Sequence, residues 1–318
     1  MIEAQGVSKH FPVRGLFRRG AVRAVTEVSL SVARGEAVGL VGESGSGKST
    51  LGRVMLGLLP ASGGRVVVDG EDLGRADPAA LRRLRRRMQL VFQDPYSSLD
   101  PRRRVGAQIG DGLVIHDLVL PQDRAARVAS LLDQVGLPAS FAGRYPHEFS
   151  GGQRQRIGIA RALATGPDLL VADEPVSALD VSVQAQVLAL LADLRTRLGL
   201  ALLFISHDLP VVRSLCDRVV VLYLGRVMEE GPVDRLFRQP LHPYTQALLS
   251  AAPSLDPARR RARILLQGDP PSPANPPSGC VFRTRCAMAL PACAEAAPAL
   301  EAVDDPRHRV ACIRAVRG

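Results

Sequence analysis

Tryptophan is absent from this chain of 318 residues, and Phe and Tyr together make up only 4% of it. That scarcity removes the stacking platforms on which single-stranded nucleic-acid binders rely. No apolar run approaches the roughly 18 residues needed to cross a bilayer. The N-terminus, Met1-Ile2-Glu3-Ala4, has no basic segment followed by an apolar one, so the chain reads as soluble and not secreted. Lysine is almost missing: Lys9 and Lys48 are the only two among 41 basic side chains. A chain that prefers arginine almost everywhere keeps lysine where a compact ammonium on a flexible stem is wanted. There are five cysteines and no C-x-x-C pair, which excludes the usual paired zinc spacing.

What is present fits an α/β protein of about two domains with a sizeable core: 46% of the residues are hydrophobic. The net charge of +10 suggests an anionic partner, yet an arginine bias produces the same figure without one. The basic runs are Arg82-Arg83 with Arg85-Arg86-Arg87, Arg102-Arg103-Arg104, and Arg259-Arg260-Arg261 with Arg263. They are read as solvated faces or contacts to membrane-associated partners, and no specific nucleic acid is expected.

Lys48 stands in Gly42-Glu43-Ser44-Gly45-Ser46-Gly47-Lys48-Ser49-Thr50, between the apolar run Ala37–Val41 and the segment Thr50–Leu59. A buried strand, a phosphate loop and a helix in that order are the context that G-x-x-x-x-G-K-[ST] requires. Glycines let successive N–H groups turn inward at a helix N-terminus, where they form an anion nest. Lys48 adds charge for the β- and γ-phosphates, and Ser49 offers a hydroxyl to Mg²⁺.

Upstream, the short alternating runs Ala21–Val25 and Val28–Val32 predict antiparallel strands closed by a turn at Ala33–Glu36. Phe11 precedes a segment that reads as a loop through Arg14, Gly15, Arg18, Arg19 and Gly20; its ring suits a core or a purine equally well. Downstream, Asp77-Pro78 caps a basic helix reaching about Arg87. The strand Met88–Phe92 then delivers Gln93, which can reach a metal and its water. A helical pattern covers about 105 to 145, with Gly136 as a C-cap. Ser150-Gly151-Gly152-Gln153 precedes a helix expected over 157–163, and its hydroxyl and backbone donors offer a second anion-binding geometry.

The apolar strand Leu169–Ala172 ends in Asp173 and Glu174. Strand alternation sends these carboxylates to opposite sides, Asp173 toward Mg²⁺ and Glu174 toward the attacking water. Asp180 opens a long helix to Leu198, and the buried strand Ala201–Ile205 leads to His207, whose imidazole can touch a γ-phosphate. After a Pro-rich stretch at 269–279, read as extended linker, come Cys280, Cys286, Cys293 and Cys312. In a reducing compartment two disulfides are disfavoured, which leaves a bound metal or cluster, or four unrelated buried thiols. Cys216, in an apolar helical stretch, reads as core.

Taken together, these motifs resemble the ATP-binding cassette (ABC) family over essentially the whole chain. Gly42–Ser49 resembles its Walker A loop, Gln93 its Q-loop and Ser150–Gln153 its signature. Leu169–Asp173 with Glu174 resembles Walker B and the catalytic glutamate, Ser177–Asp180 the D-loop and His207 the switch histidine. Phe11 sits where the family has an adenine-stacking aromatic. The segments Gln93–Arg102, Arg144–Phe149 and His242–Leu249 resemble ATPase subunits of bacterial dipeptide and oligopeptide importers.

The resemblance implies a P-loop NTPase with a RecA-like core, an antiparallel β subdomain, a helical subdomain at about 95–165 and a Cys-bearing extension. The nucleotide-binding domain would cover 1–240 and the extension 241–318. It further implies ATP and Mg²⁺, the ion being held by Ser49, Gln93 and Asp173, and a 4Fe–4S cluster on the four cysteines of 280–312. The implied partners are two transmembrane permease subunits, a second cassette ATPase and, indirectly, an extracytoplasmic peptide-binding protein, at the cytoplasmic face of the inner membrane. Other cargo (nickel, a murein peptide) and a soluble cassette ATPase acting on nucleic acid or ribosomes are the competing readings.

Overall fold

The computed structural model describes residues 1–14, 19–251 and 264–316. The chain forms two compact units, each assembled from separate stretches. The basic cluster at 259–263 and positions Gly15 and Arg18 lie outside the described residues.

One unit comprises Met1, Val32–Glu36 and Arg75–Ile205. Its centre is the strand Leu169–Asp173, buried at every position, which pairs in parallel with Met88–Val91 and with Ala201–Ile205. Unbroken apolar runs are what a strand covered on both faces requires. Asp77 caps the basic helix Pro78–Arg87 by accepting from the Ala80 N–H at 2.7 Å, as the Asp-Pro signal predicts. The helical stretch resolves into Val105–Ile115 and Arg124–Gln134. The second buries Val128, Leu131 and Leu132, a three-and-four spacing that makes one apolar face. Gly136 follows it with a φ of 70°. The helix expected over 157–163 starts earlier: it runs Gly151–Leu163 with Ser150 as its N-cap. Two glycines in its first turn hide that start from a propensity reading.

The other unit comprises Ile2–Ser31, Ala37–Gly74 and the described part of Ser206–Gly318. Its first sheet has the order Arg19–Val32, Ile2–Arg14, Gly63–Val68, Glu71–Asp72. The strand Ile2–Arg14 runs through Phe11 and Pro12 into Arg14, and Arg19 and Gly20 open the next strand, so the described edges of the expected loop are strand. Arg19–Val32 is likewise one strand rather than two, with Glu27 at φ 53° inside it. In the second sheet Ala37–Val41 pairs in parallel with Arg218–Val221. The hairpin Arg218–Tyr223/Arg226–Pro232 continues it antiparallel.

Beyond that hairpin the chain's last segment contributes strands that the linker-and-thiols reading did not anticipate. Asp305–Val310 pairs antiparallel with Arg226–Pro232, and Glu301–Val303 pairs with Asp305–Val310. A buried carboxylate fastens the first of these: Glu229, fully buried, accepts from the N–H groups of Leu241 and His242 and lies 2.7 Å from Nε2 of His308. Its neighbour Glu230 pairs with Arg309. Cys216 is buried at the end of Leu209–Leu215. Among the described residues no helix is long and apolar enough to cross a membrane.

Candidate functional site

The phosphate-loop half lies in the second unit. The strand Ala37–Val41 is buried throughout, and the helix Lys48–Met55 starts at the expected lysine. Two glycines here have no substitute. Gly42 (φ 153°) and Gly47 (φ 102°) are each so close to a neighbouring strand that an added Cβ would come 2.1 Å from a carbonyl oxygen, of Leu222 and Ala24 respectively. Gly47 is also the N-cap position and, having no side chain, makes no capping bond to the first turn. Lys48 is buried, and its Nζ donates to the carbonyls of Gly42 (2.8 Å) and Glu43 (2.9 Å). Its stem therefore lies along the loop with the ammonium inside it. Ser44 and Gly45 are exposed, Ser46 is buried, and Ser49 and Thr50 are half-buried in the first helical turn.

Glu43 is tied down at three points. Its N–H donates to the Tyr244 hydroxyl at 2.8 Å. Its carboxylate receives both Arg285 terminal nitrogens, at 2.7 and 3.2 Å, and its carbonyl receives Lys48. Tyr244, Tyr223 and Phe282 form a buried aromatic cluster with centroids 4.7–5.3 Å apart. Burial pushes the Tyr244 phenol upward, so it remains protonated. Burial works against the Arg285 charge, but the Glu43 hydrogen bonds outweigh it and raise the guanidinium above its usual range.

Sequence reasoning missed Arg285. It lies between two cysteines, in a segment with no helix or strand period, and only the fold brings it to residue 43. In the same unit, His207 is exposed just past the strand Ala201–Ser206, and Phe11 is 36% exposed with the Lys9 ammonium 5.1 Å from its ring centroid.

The carboxylate half lies in the first unit. Asp173 ends its strand and is buried. Glu174 does not continue the alternation: it takes a left-handed φ of 46°, so the strand rule that sent the two carboxylates to opposite sides stops one residue short. Its N–H donates to the Ile205 carbonyl at 2.9 Å, and its Oε2 accepts from Gln93 Nε2 at 3.0 Å. A non-glycine residue held at positive φ stores strain that its surroundings must offset. Ser150 and Gln153 form a reciprocal capping box, each side chain bonding the other's N–H. From the same helix Gln155 donates to the Phe92 carbonyl at 3.4 Å, next to Gln93. Gly151 and Gly152 form its first turn, and Asp180 is exposed at the N-cap of Val181–Leu198.

The four tail cysteines are free and half-buried. Burial raises the Cys280 and Cys286 thiols; Cys293, Cys286 and Cys312 add to the shift at Cys280 by charge repulsion. Among the described residues, however, no group of three or more His, Cys, Asp or Glu side chains is arranged to hold a metal ion. The expected iron–sulfur site is therefore unsupported as a preformed ligand set.

The ABC transporter family profile matches residues 25–177, and that of the oligopeptide/dipeptide transporter C-terminal region matches residues 228–293. An oligopeptide transport ATP-binding protein of Bacillus subtilis is 51% identical over 318 aligned positions, covering 98% of this chain and 96% of its own. A dipeptide transport ATP-binding protein of Escherichia coli is 48% identical over 98% of this chain and 93% of its own. Among solved structures, an ATP-binding cassette captured as a post-hydrolysis dimer with ADP and Pi matches with a TM-score of 0.66 and 30% identity, over 73% of this chain and 99% of that one. With relatives this similar along nearly its whole length, the chain belongs to the ABC transporter ATP-binding family and is an ATPase of the P-loop NTPase fold.

Proposed function

We propose that this chain energises an importer of dipeptides or oligopeptides, as one of its ATP-hydrolysing subunits at the cytoplasmic face of the inner membrane. The phosphate loop alone speaks only for a nucleotide. The observation that carries the cargo class is the match of the C-terminal region, 228–293, to a peptide-transporter family. Residues 1–240 would then do the nucleotide chemistry and 241–318 form the peptide-importer extension.

In this reading Lys48 and the backbone donors of Gly42–Ser49 hold the β- and γ-phosphates of ATP, and Phe11 offers its face to the adenine. Water attacks the γ-phosphorus in line as the bond to the β,γ-bridging oxygen breaks and ADP leaves, Glu174 takes the water's proton, and the Gln93 amide fixes the orientation of Glu174. Ser49, Gln93 and Asp173 offer the oxygen donors that suit Mg²⁺, which when bound neutralises charge on the phosphates. His207 completes the γ-phosphate contacts. Ser150, Gly151, Gly152, Gln153 and Asp180 serve a second cassette ATPase subunit, and closure of the pair drives two membrane permease subunits fed by a peptide-binding protein outside.

The tail thiols are the donor chemistry of a four-iron four-sulfur cluster. Iron and sulfide assay after air-free purification tests that part, with absence of both removing it.

The importer reading is tested by gentle affinity purification from detergent-solubilised native membranes. Two multi-spanning subunits and a second cassette ATPase should co-purify. Ribosomal or DNA-repair proteins in their place would overturn it.

A further inference from the structure

We infer that Arg285, from the cysteine segment, is a positioning residue for the phosphate loop, acting through Glu43 to set the affinity for MgATP. The inference rests on the ATPase reading and adds to it a control point that the nucleotide motifs do not contain.

Glu43 is the second residue of the loop, and its two backbone polar groups and its carboxylate all have partners. Its carbonyl is one of two that receive the Lys48 ammonium, so any shift of Glu43 moves an acceptor of the phosphate-binding lysine. What holds Glu43 comes from the last part of the chain. The Arg285 fork grips the carboxylate with its side chain 8% exposed, while Glu43 is 27% exposed. A planar fork on a carboxylate fixes direction as well as distance.

Arg285 is itself set by its surroundings. Its N–H donates to the Phe282 carbonyl at 3.0 Å, its NH1 reaches the Tyr223 hydroxyl at 3.5 Å, and its Nε is buried without a hydrogen-bond partner. An arginine that leaves one buried N–H unsatisfied is held where it is by its other contacts. The turn carrying it is pinned by thiol-bearing residues: Cys280 N–H donates to the Cys293 carbonyl at 2.8 Å, and Arg283 N–H to the Cys280 carbonyl at 3.1 Å. The cysteine segment thus ends, mechanically, on the phosphate loop.

The test uses the full chain, with steady-state MgATP turnover and equilibrium MgATP binding measured on the same preparations. In Arg285→Ala and in Glu43→Gln the KM and the dissociation constant for MgATP should rise about tenfold, the scale of one lost charge-assisted hydrogen bond, with kcat within about twofold. Arg285→Lys, which keeps the charge and loses the fork, should fall between wild type and alanine. The double variant should be no weaker than either single one, because both remove the same contact.

Glu43→Gln keeps the test decisive if Arg285→Ala fails to fold, since Glu43 is the more exposed partner. Wild-type affinity for MgATP in Glu43→Gln, or a lowered melting temperature with unchanged KM in the arginine variants, would overturn the inference. A wild-type chain that binds MgATP without turning it over would instead undo the hydrolysis reading, and the affinities would still decide the role of Arg285.

Discussion

The phosphate loop and the Asp173–Glu174 carboxylates each sit at the end of a buried parallel strand, but they are held in different ways. The carboxylates are held by partners within their own unit: Gln93 and Ile205 contact Glu174, and the hydroxyl of Ser177, three residues on, donates to the Glu174 carbonyl at 3.1 Å. The phosphate-loop half is closed by residues far along the chain, Tyr244 and Arg285, themselves seated in the segment that Glu229 and His308 fasten. A motif can therefore be complete in nine consecutive letters while its geometry depends on side chains two hundred positions later. Damage to the last segment should reach the phosphate loop and spare the carboxylates.

The largest expected effect separates chemistry from scaffolding. In the proposed mechanism Glu174→Gln removes the proton acceptor, so turnover should fall by roughly 10²- to 10⁴-fold while MgATP affinity stays near wild type; single-turnover and binding measurements check it. Near-normal turnover would take Glu174 out of that role.

Next comes the fastening of the last segment. Glu229→Ala leaves two backbone N–H groups and the buried His308 without their shared acceptor, which should cost about 3–5 kcal/mol. Urea unfolding measures the loss, and hydrogen exchange should place it at 226–232 and 305–310, with the strand Leu169–Asp173 still protected.

Acidification probes the same region more gently. Burial lowers the His242 imidazole from 6.5 to about 4, and its Nδ1 accepts from the Tyr244 N–H at 3.0 Å, which requires the neutral ring. The unfolded chain binds the proton first, so this contribution is complete above pH 6.5 and is lost progressively as pH falls toward 4, about 3 kcal/mol in all. Unfolding midpoints at pH 7, 5.5 and 4.5 should fall in that order. A His242→Gln variant should flatten the slope.

The smallest effect belongs to the first unit. Ser150→Ala breaks the capping box and should cost about 1 kcal/mol, read from thermal unfolding, with the phosphate loop unaffected.

The parts legible in the sequence were those dictated by local backbone chemistry. Gly42 and Gly47 announce a loop because no side chain fits there, Asp77-Pro78 announces a helix start, and unbroken runs such as Leu169–Ala172 announce buried strands. Harder to read were features that depend on tertiary partners. The helix beginning at Gly151 carries two glycines that propensity places outside a helix, yet the Ser150/Gln153 box supplies the start. Glu174 leaves the strand geometry one residue before alternation predicts: its φ is 46° although its N–H still bonds the Ile205 carbonyl of the adjacent strand. The strand Asp305–Val310, with Pro306 and three charged residues, has an edge-strand composition and lacks an apolar period. Arg285 has no local signature at all; its role is written in position 43.

The span between those two residues has a consequence for how the protein is made. The partners of the Glu43–Arg285 pair are separated by 242 positions, and ribosomes add roughly 5–20 residues per second. A nascent chain thus carries its finished phosphate-loop sequence for roughly 12–50 s before the residue that locks it has been synthesised. Over that interval the loop is covalently complete without its Arg285 clamp, so the inferred role of Arg285 predicts that full nucleotide affinity arrives only after residue 285 has been made. A truncated product would bear the entire Walker A sequence and still lack its final constraint.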